Sequence, residues 1–253
     1  MSATTRLTAV SAVAAAVLSA LATAPGAAAT TGHPFRLTPL SSHRIISPDG
    51  RIAQSTSGNW SGYAATGSTF SSVSASWVQP SVTCGSGTAY SSFWIGLDGD
   101  GSNSVEQTGS EADCSGGRAQ YYSWYEMYPA YPVNYSNAVS PGDHFTSTVS
   151  VSGTTYTLTL SDTTKGWTKT TTKKQSGLSN ASAEIIAEAP SSSSGVLPLA
   201  HFSTASFSNA SANGQPIGNY NPDRINMVSG STTKATTSAL SGGNAFSVTW
   251  NHS

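Results

Sequence analysis

From residue 57 to the C-terminus, no stretch of ten or more residues carries the hydrophobic period of a helix, and this absence restricts the fold more than any single motif. Short alternating or β-branched runs stand there instead, over residues 73–78, 91–97, 120–125, 145–151, 155–160, 183–187, 200–206 and 245–250. Clusters of Gly, Pro, Asn and Ser separate them at spacings typical of antiparallel sheets. Residues 149–158 read as a hairpin turning at Ser152-Gly153. The expected fold is all-β: a single-domain antiparallel β-sandwich of two packed sheets, of concanavalin or jelly-roll type, over residues 57–253.

Residues 1–29 read as an export signal. Arg6 supplies the positive end, residues 7–21 the apolar stretch, and Ala27-Ala28-Ala29 the small-residue cleavage site. The apolar run is shorter than the ~20 residues of a membrane span, so a secreted, extracellular protein with no membrane partner is expected. Only 9% of residues are charged, against about 25% in an average protein. No basic stripe could neutralise phosphates, which argues against nucleic acid as a partner. Six Trp, ten Tyr and seven Phe supply enough apolar bulk for a core, and a monomer is expected.

Residues 30–56 differ in character from the body of the chain. They carry Arg36, Arg44 and Arg51 against Asp49 alone, include Pro34, Pro39 and Pro48, and show no strand alternation, so they read as a propeptide or a flexible basic arm. The arm is net +2, whereas seven basic and eleven acidic side chains leave residues 57–253 at −4. A basic arm lying across an acidic cleft and a simple solvated tail both fit. Cys84 and Cys114 are expected to pair outside the cell, closing a loop of about thirty residues worth about 3 kcal/mol in the chain-entropy account. Five Asn-x-Ser sites, at Asn59, Asn134, Asn180, Asn209 and Asn251, are possible glycan acceptors.

Several chemistries are closed off. There is no Gly-x-Ser-x-Gly elbow, and outside the arm and the C-terminus only His144 and His201 are left for a Ser-His pair. No HExxH is present. The run Asp98-Gly99-Asp100-Gly101-Ser102-Asn103 starts like a calcium loop, but its twelfth position is Gly109 instead of Glu. Neither a metal nor any other cofactor is expected.

Five segments carry a resemblance. Asn59-Trp60-Ser61-Gly62, Trp94-x-Gly96-x-Asp98-Gly99-Asp100, Gln107-Thr108-Gly109, Trp124-Tyr125-Glu126-x-Tyr128-Pro129 and Ala183-Glu184-x-x-x-Glu188 resemble, in the same order, the motifs of the glutamic peptidases known as eqolisins, the peptidase G1 family. The resemblance implies a sandwich of two antiparallel sheets that hydrolyses polypeptides in acid with one Gln and one Glu. By motif position these fall on Gln107 and on Glu188, with Glu184 as the alternative. Asp98, Glu126 and Glu184 become supporting groups, and Trp60, Gly62, Trp94, Trp124 and Tyr128 line the substrate cleft. Read without the motifs, the three Trp are ordinary core residues. Met127 stands where fungal relatives have a second Trp, and Ala189-Pro190 follows Glu188 in place of an acidic-aromatic pair, which bears on subsite preference; a secreted member of bacterial type is expected.

The chemistry is coherent. A carboxylate can take a proton from water and return it to the departing amine, while a Gln amide, which does not titrate, holds the water and stabilises the oxyanion in acid. Glu184 and Glu188 share one face of a strand but lie about 13 Å apart along it, so only one of them can work with Gln107 on one water. The competing reading is a carbohydrate-binding or glycoside-cleaving sandwich using two carboxylates, for example Glu126 with Glu188.

Overall fold

The computed structural model describes residues 1, 42–46 and 52–253, with side chains from Ser55 onward. The expected export signal and much of the arm lie outside the described residues. Fifteen strands of five residues or more are present: β1 (Ser42–Ile46), β2 (Ile52–Ser57), β3 (Trp60–Thr66), β4 (Ser72–Val78), β5 (Ser92–Leu97), β6 (Val105–Ser115), β7 (Arg118–Tyr128), β8 (His144–Ser152), β9 (Thr155–Asp162), β10 (Trp167–Lys174), β11 (Ser182–Glu188), β12 (Ala205–Ala212), β13 (Asp223–Ser229), β14 (Thr232–Thr237) and β15 (Phe246–Trp250). Among the described residues the helical element is a single 3-10 turn, Ile217–Tyr220. No helix among them is long and apolar enough to cross a membrane.

The strands form two layers. One runs β1-β2-β13-β3-β11-β5-β6-β7 and the other β10-β9-β8-β4-β12-β15-β14. They join at one edge, where β14 also pairs with β13. The main core lies between them, built from alternate side chains such as Phe93, Ile95 and Leu97 of β5, Ile185 and Ala187 of β11, and Phe145 and Val149 of β8. Met127, where fungal relatives have a second Trp, joins this core and packs between the sheets. The opposite face of the second layer carries hydroxyls. Rungs such as Ser76–Thr146–Ser161–Thr168 and Ser74–Thr148–Thr159–Thr170 cross β4, β8, β9 and β10, which accounts for much of the low charge.

Three expectations are corrected. The segment 30–56, read as free of strands, contains β1 and β2, and β2 pairs with β13, Gln54 facing Arg224 and Ser57 facing Met227. That pairing is parallel, so the sheets are not antiparallel throughout. The β8–β9 hairpin closes with Ser152 opposite Thr155, which puts its turn at Gly153-Thr154, one residue later than expected. Gly153 has φ 60, a left-handed conformation that glycine adopts without the Cβ clash. The Cys84–Cys114 disulfide is present and ties the loop ahead of β5 to the end of β6.

Strand β2 is part of the sheet by its contacts as well. Ser55 Oγ donates to the Asp223 carboxylate, and Ser57 Oγ accepts from the backbone N–H of Trp60 at 3.0 Å. A chain starting at Ile52 is therefore expected to keep the stability of the domain, whereas one starting at Gly58 loses about 2–4 kcal/mol, read from urea unfolding. Equal midpoints for the two would show that β2 is dispensable.

Candidate active site

The face of the first layer turned away from the second sheet holds a second, smaller apolar cluster. Trp60, Ala64, Trp94, Val105, Trp124, Ile186 and Ile225 form it, with Tyr122 and Tyr128 against its margin. Strand alternation puts Gln107, Glu126, Glu184 and Glu188 on this same face, since each lies an even number of residues from a member of the cluster on its own strand. The three Trp are thus both core and site wall. Trp60 and Trp94 meet edge to face at 5.0 Å.

Register decides which acid accompanies Gln107. Glu184 pairs with Gly96, Gly96 with Gln107, and Gln107 with Glu126, so one rung crosses β11, β5, β6 and β7. Glycine at the centre matters, because a Cβ on Gly96 would stand 3.0 Å from the Gln107 Cβ and 3.1 Å from the Trp94 ring. With no side chain between them, the Gln107 and Glu184 side chains rise side by side from strands about 10 Å apart. Gln107 Nε2 donates to Glu126 Oε2 at 2.7 Å. Gly62 lies on the next rung, facing Ile186, and has no room for a side chain: a Cβ would sit 2.2 Å from the Ile185 carbonyl oxygen.

Glu188 belongs elsewhere. It is on the rung of Trp60, Ser92, Glu111 and Tyr122, four residues or about 13 Å along β11 from Glu184. Asn59 Nδ2 donates to its Oε1 at 3.2 Å and Trp94 Nε1 to its Oε2 at 2.9 Å. The expected pairing of Gln107 with Glu188 is therefore not what the strand register brings together. Asn59 is 1% exposed and engaged in this way, which removes it as a glycan acceptor in the folded protein.

Asp98 supports from behind. It sits at the end of β5 with φ 71, a left-handed conformation costing a non-glycine residue about 1–3 kcal/mol, and its carboxylate accepts the backbone N–H groups of Asn180 at 2.7 Å and Ala181 at 2.8 Å. These bonds seat the start of β11, two residues before Glu184. The Glu184 Oε1 accepts the Asp100 N–H at 3.1 Å, while its Oε2 has no hydrogen-bond partner.

Burial dominates the electrostatics. It raises Glu184 to about 8, with Asp100 adding to the effect, and Glu106 to about 9, with Asp98 and Glu184 adding. Asp113 is raised to about 7, again by burial. Glu111 is pushed well above the usual carboxylate range by burial and then by Asp113. Sequence reading left out Glu106, Glu111, Asp113, Asn59 and Gly96 as individual participants. The i, i+2 series Gln107, Gly109, Glu111, Asp113 was the available signal, since it places two more acids on the face of Gln107. Among the described residues no group of three His, Cys, Asp or Glu is arranged to hold a metal ion.

The first layer of this β-sandwich thus carries one face that joins an amide, several carboxyl groups and three tryptophans. This chain belongs to the peptidase A4 family, which matches residues 58–250 and whose members are the glutamic peptidases of the eqolisin type. Aspergillopepsin-2 of Aspergillus niger is 29% identical over 199 residues, 69% of this chain and 71% of its own length. Scytalido-glutamic peptidase, solved with a transition state analog inhibitor, superposes with a TM-score of 0.67 at 28% identity, covering 77% of this chain and 98% of its own. Aspergilloglutamic peptidase from Aspergillus niger gives 0.56 at 26% identity, over 64% and 99%. The protein is a peptidase of this class, which sets aside the carbohydrate reading.

The raised carboxyl groups fix the direction of a pH effect. Where the folded pKa exceeds the unfolded value, folding holds the proton, so the stabilisation is complete below about pH 4 and is withdrawn as pH rises through the folded values of about 7 to 9. The melting temperature is expected to be highest near pH 3–4 and to fall by about 10 °C or more on going to pH 9. A maximum at pH 7–8 would contradict the burial argument.

Proposed function

We propose that this chain is a secreted, extracellular acid endopeptidase that hydrolyses polypeptides with Gln107 and Glu184 as its working pair. The observation that carries this reading is the shared rung, Glu184–Gly96–Gln107–Glu126. The Glu184 carboxylate takes a proton from a water held between it and the Gln107 Oε1, and the water oxygen attacks the peptide carbonyl carbon. The developing oxyanion accepts one Nε2 hydrogen of Gln107. Glu126 accepts the other, which fixes which end of the amide faces the reacting carbonyl. Glu184 then delivers its proton to the amine nitrogen as the C–N bond breaks, and returns to the carboxylate.

The intact chain is a poor catalyst on this reading. Trp60, Trp94, Trp124, Gln107, Glu126, Glu184 and Glu188 are all 0% exposed, and burial keeps Glu184 in the protonated form, which cannot act as a base. Residues 1–29 act as the signal, and the basic stretch ending near residue 51 acts as a propeptide whose removal activates the chain. Its +2 charge against the −4 of the body, and the seating of β2 in the sheet, support a boundary before Ile52 and not after residue 56.

The test is cleavage of an unfolded protein from pH 2 to 8 by the chain freed of residues before Ile52, beside Gln107→Ala, Glu184→Gln and Glu188→Gln, each checked for folding. Activity confined to acid is expected, lowered about 100- to 1,000-fold or more in Gln107→Ala and Glu184→Gln and within about tenfold of wild type in Glu188→Gln. An inactive Glu188→Gln beside an active Glu184→Gln would return the catalytic role to Glu188. No cleavage by folded wild type at any pH would end the peptidase reading.

A further inference from the structure

Glu106 is the acid for which the mechanism has no use. It precedes Gln107 on β6 but points the other way, into the interior between the two sheets, where it is 0% exposed. Neither of its carboxyl oxygens meets a hydrogen-bond partner on another residue. The groups that bear on it electrostatically are acids as well: Asp98 at the end of β5, Glu184 on β11, and the Tyr156 phenol reaching in from β9. Tyr156 donates to Asn180 Oδ1 at 2.6 Å, and Asn180 and Ala181 give their N–H groups to Asp98. The Asp98 N–H in turn donates to the Ser182 carbonyl at 3.1 Å. Glu106 therefore stands beside the small set of bonds that joins the end of β5 to the start of β11 and so sets the height of Glu184.

We propose that Glu106 is a positioning residue that serves only as a neutral acid: it fills the space behind Asp98 and Gln107, and its ionisation breaks the Asp98 link that seats Glu184. The consequence is an alkaline limit on the integrity of the site that is separate from the protonation of the reacting groups. A negative charge on Glu106 would find no cation among Asp98, Glu184 and Tyr156, whose hydroxyl is already given to Asn180, and would lie in the same buried space as the Asp98 carboxylate. Asp98 is the weak point, since its left-handed backbone conformation is held by the bonds that repulsion would loosen. The proton is held until the pH approaches the raised value of the buried acid, consistent with burial placing Glu106 at about 9.

The inference rests on the peptidase reading for its effect on activity, and the experiment separates the two. The chain freed of residues before Ile52, as wild type, Glu106→Gln and Glu106→Leu, is held at pH 4 to 10 and followed there by near-ultraviolet circular dichroism, and its initial rate of cleavage of an unfolded protein is read immediately after a jump back to acid. In wild type both signals are expected to fall together on the alkaline side. Glu106→Gln, which is neutral at every pH, is expected to move the midpoint of both up by at least one pH unit with the acid limb unchanged, and Glu106→Leu to do the same if the amide disturbs folding. A residue with a merely structural role would instead change stability equally at all pH values. Infrared spectra at pH 7 give a second reading, a protonated-carboxyl band present in wild type and reduced in Glu106→Gln. Alkaline midpoints that coincide in all three proteins, or a wild-type band that Glu106→Gln leaves intact, overturn the inference. If wild type cleaves nothing but its circular dichroism midpoint shifts as stated, the peptidase reading fails and the role of Glu106 in holding the cluster stands.

Discussion

Every acidic side chain from residue 57 onward is buried, eleven in all, whereas of the seven lysines and arginines in that stretch only Lys234 is. This inversion of the usual arrangement is the constraint on which the rest of the structure depends, because a buried carboxyl group must be either satisfied or neutral. The protein uses both solutions. Asp98 receives two backbone N–H groups, and Asp143 receives the Ser140 N–H together with the Lys165 ammonium at 2.6 Å. Glu106, Glu111 and Glu184 have too little of such support, and for Asp113 burial outweighs the Ser91 N–H and Tyr122 hydroxyl that it accepts, so all four keep their protons well above the usual range. Acid is thus the condition in which this interior is at rest, and a catalytic pair that needs no imidazole is the chemistry compatible with it.

The fold was legible in the sequence wherever one strand face is apolar. Residues 73–78 and 145–151 alternate cleanly, and they became β4 and β8. The longest strands were harder. In β6, Val105 to Ser115, Glu106, Gln107, Glu111 and Asp113 put polar groups on both faces, so the strand that carries Gln107 has no hydrophobic period to read. Strands β10 and β14 are mostly Thr and Lys, and their pairing depends on neighbours far away in the chain. The joining of the two sheets through β13, β14 and β15, and the parallel seating of β2, are properties of tertiary pairing that local pattern does not encode.

The site was legible as a set of residues and not as a pair. The motifs marked Gln107, Glu126, Glu184, Glu188 and the three Trp, and all of them share one face. What the motifs lack is register. Glu184 and Glu188 are equivalent by strand period, and only the alignment of β11 with β5 and of β5 with β6 assigns Glu184 to the rung of Gln107. Gly96 leaves the two side chains facing each other across the rung, since any side chain there would stand between them.

The pairing of β2 with β13 and of β3 with β11 also bears on how the molecule comes into being. Gln54 meets Arg224, and Trp60 meets Glu188, so the walls of the site are assembled from opposite thirds of the chain. Contacts this distant impose a large loop-closure entropy before they return any free energy, which makes folding slow. A nascent chain that has not yet reached Asp223 lacks the partner of β2, and no folding unit that ends earlier contains the finished site. Hydrolytic capacity is therefore withheld from the growing polypeptide by topology alone, until the strand that begins at Asp223 has been made.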